Sequence, residues 1–338
     1  MIDSAEGECP AHRHGGLHLG MLRPHSRAWG SCRPHTVRDD VRAALLCALK
    51  SMSADSIPAD RAFYEKLYYL HPEELAFFTA QTGITDEEEL KQHIMSVQAD
   101  ALKVTPYTCI RAFAFTKLVA SRIPAYEQAI KLGKEREGAI LLDIGCCFGV
   151  DVRKAVADGF PTENAIGSDL HPEYWDLGHK LFKTTANEFP AHFLGGDAFE
   201  SAFFESGPVL DSPPATPAPA LASLKTLTPL NGHVSVIHAS SFFHLFTEEK
   251  QLELARKLAG LLSPVPGSMI FGMHAGLPEK GLWTERSAMR NGQQMFCHSP
   301  ESWRGLWDGN VFAKGKVKVQ VALKEARERM LLWSVTRL

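Results

Sequence analysis

Residues 139–152 read AILLDIGCCFGVDV, an apolar run that ends in an acid and continues into two glycines four residues apart. Asp143, Gly145 and Gly149 fit the pattern acid-x-G-x-G-x-G, in which glycines let the backbone pass close to an adenosine-containing cofactor. Cys147 stands at the middle glycine position. Because cysteine is small, we expect it to hold a negative φ and to leave the turn intact. Asp143 is expected to accept from a backbone amide or from the cofactor's ammonium group.

The dinucleotide fingerprint G-x-G-x-x-G fits the same turn less well. Counted from Gly145, its second glycine falls on Cys147 and its third on Val150. An NAD-dependent oxidoreductase is therefore the disfavoured alternative. A cofactor without a pyrophosphate depends less on the middle glycine, which favours the first pattern.

Two further acids end the next two apolar runs. Asp169 in GSDL follows the turn by about 20 residues, the separation at which an acid holds ribose hydroxyls. Leu170 would then form an apolar wall for adenine, and Asp197 in LGGDAF would accept from the adenine amino group. Each aspartate alone could equally cap a helix. Three at the carboxyl ends of successive strands favour one shared ligand site.

Histidines follow the fourth and fifth apolar runs, where they could transfer protons or orient a reacting group. HASSFFHLF contains His238, Ser240 and His244, and GMHAG contains His274. The alternative for each histidine is a hydrogen bond inside a packed turn.

These residues need strands to position them. Helical patterns separate the short apolar runs, which predicts a Rossmann-like, doubly wound, mostly parallel α/β sheet in a domain over residues 136–338. The predicted strands span 139–143, 164–169, 191–195, 233–239 and 268–273.

The C-terminal end departs from this alternation. KVKVQVALKE and RMLLWSVTRL follow each other too closely for a crossover helix, so they are expected to form an antiparallel hairpin. Residues 208–229 contain six prolines and are expected to form a solvated surface loop.

Residues 56–135 are expected to form a helical cap. Pro72 fits the first turn of one helix and Gly83 its end, while Thr85 and Glu88 have the spacing of a capping box for the next. PYTCIRAFAFTKLVASRI is expected to be a buried third helix. Residues 1–55 lack periodicity and are expected to be a disordered tail. A mitochondrial presequence is the alternative, weakened by the acids of this segment.

Composition limits the classes of partner. A formal charge of −3 gives no reason to expect nucleic acid or an anionic membrane, and no apolar run or leader suggests a membrane span or secretion. The seven cysteines have neither disulfide nor zinc spacing, so no metal is expected. We expect a cytoplasmic protein that acts on a small molecule, with a homodimer as one open option.

LLDIGCCFG, GSDL, GGDAF, HASSFFHLF and the terminal hairpin resemble class I S-adenosylmethionine-dependent methyltransferases. YYLHPEELAFFTAQTGI and MFCHSPESW extend the likeness to fungal secondary-metabolism enzymes of the austinol and terretonin meroterpenoid type. The resemblance implies O-methylation, often of a carboxyl group, with S-adenosylmethionine as cofactor. It also implies that Cys147 is a family feature and that His244 matches a histidine common after this strand.

The resemblance leaves two acceptors open. A carboxylate is already ionised at neutral pH, whereas a phenol would benefit from a base. The cap is expected to close the site, with Arg111 pairing with a carboxylate of cofactor or acceptor. A non-catalytic S-adenosylmethionine-binding protein is a further alternative. The expected cofactor contacts are Asp143, Gly145, Cys146, Gly149, Asp169, Leu170, Asp197, Ala198, Ala239 and Ser240. The expected catalytic residues are His244, His238 and His274, and the expected acceptor contacts are Tyr68, Arg111, Phe243, Phe296 and Trp303.

Overall fold

The computed structural model describes residues 61–283, 295–325 and 329–338, so the expected tail lies outside the described residues. Its main feature is a seven-stranded sheet in the order β3-β2-β1-β4-β5-β9-β8. The first five strands of this order are parallel, and β9 pairs antiparallel with both β5 and β8. The strands are β1 Ile140–Ile144, β2 Ala165–Asp169, β3 His192–Gly195, β4 Val234–His238, β5 Met269–Ala275, β8 Val317–Glu325 and β9 Arg329–Arg337. The short strands β6 Gly281–Leu282 and β7 Phe296–Cys297 form a separate pair.

This order confirms the predicted fold, including the C-terminal hairpin. The chain winds from β1 outward to β3 and then returns to place β4 on the other side of β1. The strand order therefore reverses between β1 and β4. In such sheets, the carboxyl ends of the strands at this reversal bound a ligand crevice.

Helices cover both faces of the sheet, which is why β1 is buried along all five residues. One face packs against α5 Tyr126–Glu135, α6 Val150–Ala157 and α7 Pro172–Leu181. The other packs against α8 Glu248–Leu261 and α9 Pro300–Trp307. Alternate residues of β1 divide between these layers: Leu142 faces α8, and Leu141 faces α5.

The N-terminal helices are α1 Arg61–Glu65, α2 Pro72–Thr82, α3 Glu87–Val104 and α4 Thr108–Arg111. As predicted, Gly83 ends α2 in the left-handed conformation, with φ 72°. The cap of α3 differs from the prediction, because Asp86 rather than Thr85 accepts from an amide of its first turn. Asp86 directly precedes the helix and so reaches the Glu89 amide at 2.8 Å. The predicted cap boundary near residue 135 stays a prediction.

The segment 106–123 is not the single buried helix that its apolar composition suggested. It contains α4, two 3-10 turns at Ala114–Thr116 and Ala120–Arg122, and Phe113 at φ 55°. The side-chain amide of Gln98 donates to the carbonyls of Ile110 and Arg111 at 3.1 and 3.2 Å. These bonds satisfy carbonyls that a continuous helix would otherwise have used.

A buried acid fastens this segment to α2. Glu74 is fully buried, and its carboxylate accepts from Lys117, Arg122 and the backbone amide of His71. Two cations and an amide compensate the burial of one charge, so the network fixes the path of residues 117–122.

The proline-rich segment 208–229 is a loop, as predicted, but it is anchored rather than fully solvated. Leu224, Leu227 and the following Leu230 are buried in the core beside α8. In the described part of the chain, no helix is long and apolar enough to cross a bilayer.

Candidate active site

The glycine turn after β1 forms the centre of the site. Gly145, Cys147 and Gly149 all have positive φ, at 75°, 51° and 68°. A Cβ at Gly145 would lie 2.7 Å from the Phe242 ring, and one at Gly149 would lie 2.5 Å from Trp175. Both glycines are therefore required by φ and by space. The negative φ expected for Cys147 is wrong: the residue holds a left-handed conformation that costs a non-glycine residue about 1 kcal/mol.

Asp169 stabilises that conformation from the end of β2. Its Oδ2 accepts from the Cys147 amide at 2.9 Å, and its Oδ1 accepts from the His171 amide at 3.0 Å. Burial raises the pKa of Asp169. The carboxylate thus lies between the turn and the start of α7, where it was expected to meet a ribose. Leu170 beside it is 53 % exposed, which is unusual for leucine and fits an apolar wall for a ligand.

The third aspartate lies at the end of β3, next to β2 in the sheet. Asp197 is exposed, and its Oδ1 accepts from the Phe199 amide at 2.8 Å. Ala198 is buried, and its carbonyl accepts from Lys257 at 3.0 Å. The loop is thereby fixed, with Asp197 at the edge that Asp169 also occupies.

Asp143 pairs with a histidine that the sequence analysis did not predict as its partner. Its Oδ1 lies 2.7 Å from Nδ1 of His238, and both side chains are buried. The two residues are register partners on adjacent strands, so their side chains project from the same face side by side. The sequence held a signal for this pair, because each residue ends an apolar run at the same edge of a parallel sheet.

The pair extends to the loop after β4. Nε2 of His238 lies 2.7 Å from Oγ of Ser240, which also accepts from the Met273 amide at 3.2 Å. Burial alone would lower the pKa of His238, but the charge and hydrogen bond of Asp143, aided by Asp151, raise it above its usual value. When the ring is protonated, it donates from both nitrogens. Ser240 then accepts twice, so its own hydroxyl hydrogen is available to another acceptor.

Asp151 is a half-buried acid that the sequence analysis missed. Burial raises its pKa to about 6, against the opposing effect of His238. Its carboxylate accepts from the Ala120 amide at 2.9 Å. From sequence alone, Asp151 looks like an ordinary acid in the first turn of α6, because nothing local reveals the facing histidine.

The two remaining histidines have different environments. His274 is 1 % exposed, its Nδ1 accepts from the Trp333 indole at 3.0 Å, and burial holds its pKa well below the usual value. This is the environment of a core histidine, contrary to the expected catalytic role. His244 is half-buried in a 3-10 turn, and its Nδ1 accepts from the Ala275 amide at 3.3 Å. That bond assigns the proton of the neutral ring to Nε2.

The aromatic residues expected to contact the acceptor also divide into two groups. Phe243 and Trp303 are fully buried and pack edge to face at 4.9 Å, so the structure places them in the core. Phe296 and Tyr68 are half-buried, and Tyr68 packs on Phe113 at 5.4 Å. Phe242 contacts the turn directly over Gly145. The sequence shows that all these residues are apolar, but it does not show which of them are buried in the core and which are partly exposed at the site.

The other predicted contacts lie close to the turn. Cys146 and Ala239 are buried, and the amides of Gly145 and Cys146 donate to the Ser168 carbonyl at 2.8 and 3.0 Å. Arg111 is buried in α4. Among the described residues, no group of three or more His, Cys, Asp or Glu side chains is arranged to hold a metal ion.

Comparison with known proteins finds relatives that are all named as methyltransferases. Residues 63–116 match the family described as the meroterpenoid methyltransferase N-terminal domain. The O-methyltransferase phiE of a fungal species (strain ATCC 74256) is 29 % identical over 72 % of this chain and 72 % of its own length. The asnovolin E/chermesin D methyltransferase nvfJ of Aspergillus novofumigatus is 29 % identical over 65 % of this chain and 69 % of its own.

A solved structure, the 1,6-didemethyltoxoflavin-N1-methyltransferase of Burkholderia thailandensis, is 14 % identical with a TM-score of 0.42. It covers 85 % of this chain and 98 % of its own. The relatives confirm the resemblance, the enzyme class and the cofactor predicted from the sequence. The chain is an S-adenosylmethionine-dependent methyltransferase of class I that resembles fungal meroterpenoid methyltransferases.

Proposed function

We propose that the protein is an O-methyltransferase of fungal secondary metabolism that methylates a small apolar carboxylic acid, with a phenol as the other acceptor class. The observation that carries the choice is the Ser240 hydroxyl at the carboxyl end of β4. With the His238 ring protonated, His238 and the Met273 amide both donate to the Ser240 oxygen, so the hydroxyl hydrogen is left for the acceptor. Such a group orients an anionic oxygen and is not arranged as a base.

The residues at the sheet edge fit the cofactor. We assign Asp169 to the ribose hydroxyls, Leu170 to one face of adenine and Asp197 to the adenine amino group. The fit rests on the fixed carboxylate of Asp169 and on the exposed Leu170. When bound, S-adenosylmethionine supplies an electrophilic methyl group for in-line displacement.

The chain's own residues then orient the acceptor and exclude water. A carboxylate is ionised at neutral pH, so alignment with the methyl group is the main requirement. His238 and the Met273 amide both bond to the Ser240 oxygen, which fixes the direction of its hydroxyl. The relatives support an oxygen acceptor, since phiE is named an O-methyltransferase.

The acceptor class is tested with S-adenosylmethionine labelled in its methyl group and a panel of terpenoid acids, aromatic acids and phenols. We expect label in products of the acids, and its release by mild alkali, because methyl esters hydrolyse whereas aryl ethers do not. Alkali-stable label would move the assignment to a phenol. Label in none of the products would refute the proposed acceptor classes.

His244→Ala is expected to lower kcat by about 10- to 100-fold, the loss for one hydrogen bond to a charged group, while the affinity for S-adenosylhomocysteine changes less than about twofold. His244→Gln keeps a donor and should retain more activity than the alanine variant. His192→Ala, at the start of β3, is the matched control. Steady-state kinetics and calorimetry provide the measurements. Wild-type turnover in His244→Ala would remove the residue from the mechanism.

A further inference from the structure

We propose that Arg111 is a carboxylate-binding residue at the edge of the glycine turn. The proposal deepens the proposed function and rests on it, because the carboxylate belongs to a ligand bound at that site. The sequence suggested such a pairing, and the structure gives it a physical basis.

Arg111 is a buried cation whose donors are largely unused. The side chain is 6 % exposed, and its Nε and Nη1 have no hydrogen-bond partner within the described ranges. A guanidinium in this environment loses its hydration without compensation, which is strongly unfavourable. A carboxylate binds a guanidinium through two parallel N–H groups, either Nε with Nη2 or Nη1 with Nη2, so an anionic ligand would satisfy one of the open nitrogens in a bidentate pair and neutralise the buried charge.

The acids near the cap are bonded to other groups. Glu74 pairs with Lys117 and Arg122, and Asp100 pairs with Lys103 and Lys180.

The acids of the sheet edge are also engaged. Asp169 accepts from two backbone amides, and Asp143 pairs with His238. In the part of the chain that the structure describes, no carboxylate forms an ion pair with Arg111. Because these carboxylates are engaged elsewhere, a ligand anion is the remaining source of a counter-ion for Arg111.

The backbone of Arg111 is fixed at the site. Its amide donates to the Tyr107 carbonyl at 3.0 Å, and its carbonyl accepts from Gln98. The Tyr107 hydroxyl lies 3.1 Å from Nε2 of His171, whose amide bonds Asp169. The segment that carries Arg111 thus touches the loop that carries the ribose-binding acid.

A second contact joins this segment to the glycine turn itself. The rings of Phe115 and Phe148 lie 4.5 Å apart, and Phe148 sits inside the turn between Cys147 and Gly149. Ile110 and Phe148 share one buried cluster. Arg111 therefore lies on a structural unit packed against the cofactor turn.

Two ligands of this site carry the required group. S-adenosylmethionine has one carboxylate, in its methionine part, and the proposed acceptor has another. The group that the two ligands share is a carboxylate. Paired probes that differ only in this group distinguish the two sources.

The experiment is calorimetry on the full chain and on Arg111→Met, which keeps an apolar stem and removes the charge. S-adenosylhomocysteine carries the amino-acid carboxylate, and 5′-methylthioadenosine lacks it. If the cofactor is the source, Arg111→Met should weaken S-adenosylhomocysteine by about 10- to 100-fold and leave 5′-methylthioadenosine within about twofold. Arg111→Lys should recover part of the loss, since it keeps the charge without the fork.

The acceptor arm uses 2,4-dihydroxybenzoate and resorcinol with S-adenosylhomocysteine at saturation. Weaker binding of the acid alone, with unchanged S-adenosylhomocysteine affinity, assigns the carboxylate to the acceptor. Arg136→Met is the matched control, because Arg136 bonds Ser268 and Pro266 near the amino ends of the strands. Thermal unfolding of each variant separates lost binding from lost fold.

The proposal is overturned if Arg111→Met and wild type bind S-adenosylhomocysteine and 2,4-dihydroxybenzoate with equal affinities. It is also overturned if neither protein binds the acid and the substitution leaves S-adenosylhomocysteine binding unchanged. The proposed function fails differently. It is refuted by the absence of labelled ester or ether in an enzyme that still binds S-adenosylhomocysteine through Arg111.

Discussion

Replacing Gly178 with alanine is expected to destabilise the ligand-free protein by about 3 kcal/mol and to abolish measurable binding of S-adenosylhomocysteine. Gly178 lies in α7, and a Cβ there would overlap the carbonyl oxygen of Phe148 in the glycine turn. The obstacle is backbone, so it cannot rotate away as a side chain would. Either α7 or the turn must move, and Asp169 is bonded both to the turn and to His171, which directly precedes α7.

The sign of this effect is informative, since alanine normally stabilises a helix relative to glycine by about 0.5–1 kcal/mol. Gly305→Ala in α9 is the matched control, because a Cβ at Gly305 meets nothing within 4 Å. Urea unfolding should place the two variants on opposite sides of wild type. If Gly178→Ala were as stable as Gly305→Ala and bound S-adenosylhomocysteine normally, the close approach of α7 to the turn would not be needed for the site.

Some parts of the fold could be predicted from sequence patterns, and others could not. Apolar runs predicted β1 to β5 within two residues of their observed ends, because strands buried on both faces must be apolar throughout. The terminal hairpin was predictable because too few residues separate its strands for a helix. The path of residues 106–123 was not predictable. Apolar composition indicated burial, but the Gln98 amide that satisfies its carbonyls lies outside the segment.

In the candidate site, the positions of the acids were predictable, but their hydrogen-bond partners were not. That the acids end their strands at one edge follows from strand order and was predicted. Which partner each acid selects depends on strand register and on side-chain direction. Cys147 illustrates this: its residue type suggested negative φ, yet the Asp169 carboxylate 22 residues away holds its amide in the left-handed turn. Tertiary hydrogen bonds overrode the local preference.

The Asp143–His238 pair is expected to give the second large effect. Asp143→Leu and His238→Leu should each cost about 3–5 kcal/mol in urea unfolding, because each leaves a buried polar or charged partner uncompensated. The double variant should lie within about 2 kcal/mol of wild type, since two apolar groups replace the pair. Asp197→Leu, at an exposed strand end, should change stability by less than about 1 kcal/mol. Additive single effects would contradict a coupled pair.

The pH dependence tests the same pair independently. The pKa of His238 is raised in the folded state, so its protonation adds stability that is fully present below the ordinary value of 6.5 and is lost as pH rises through the folded pKa. Asp151, with its pKa raised to about 6, acts in the same direction but at lower pH, between 3.8 and about 6. Wild type should therefore lose stability above pH 6.5, and His238→Leu should lack that loss. A parallel decline in both proteins would mean that His238 is neutral in the folded state, and Ser240 would then donate to His238 rather than to the acceptor.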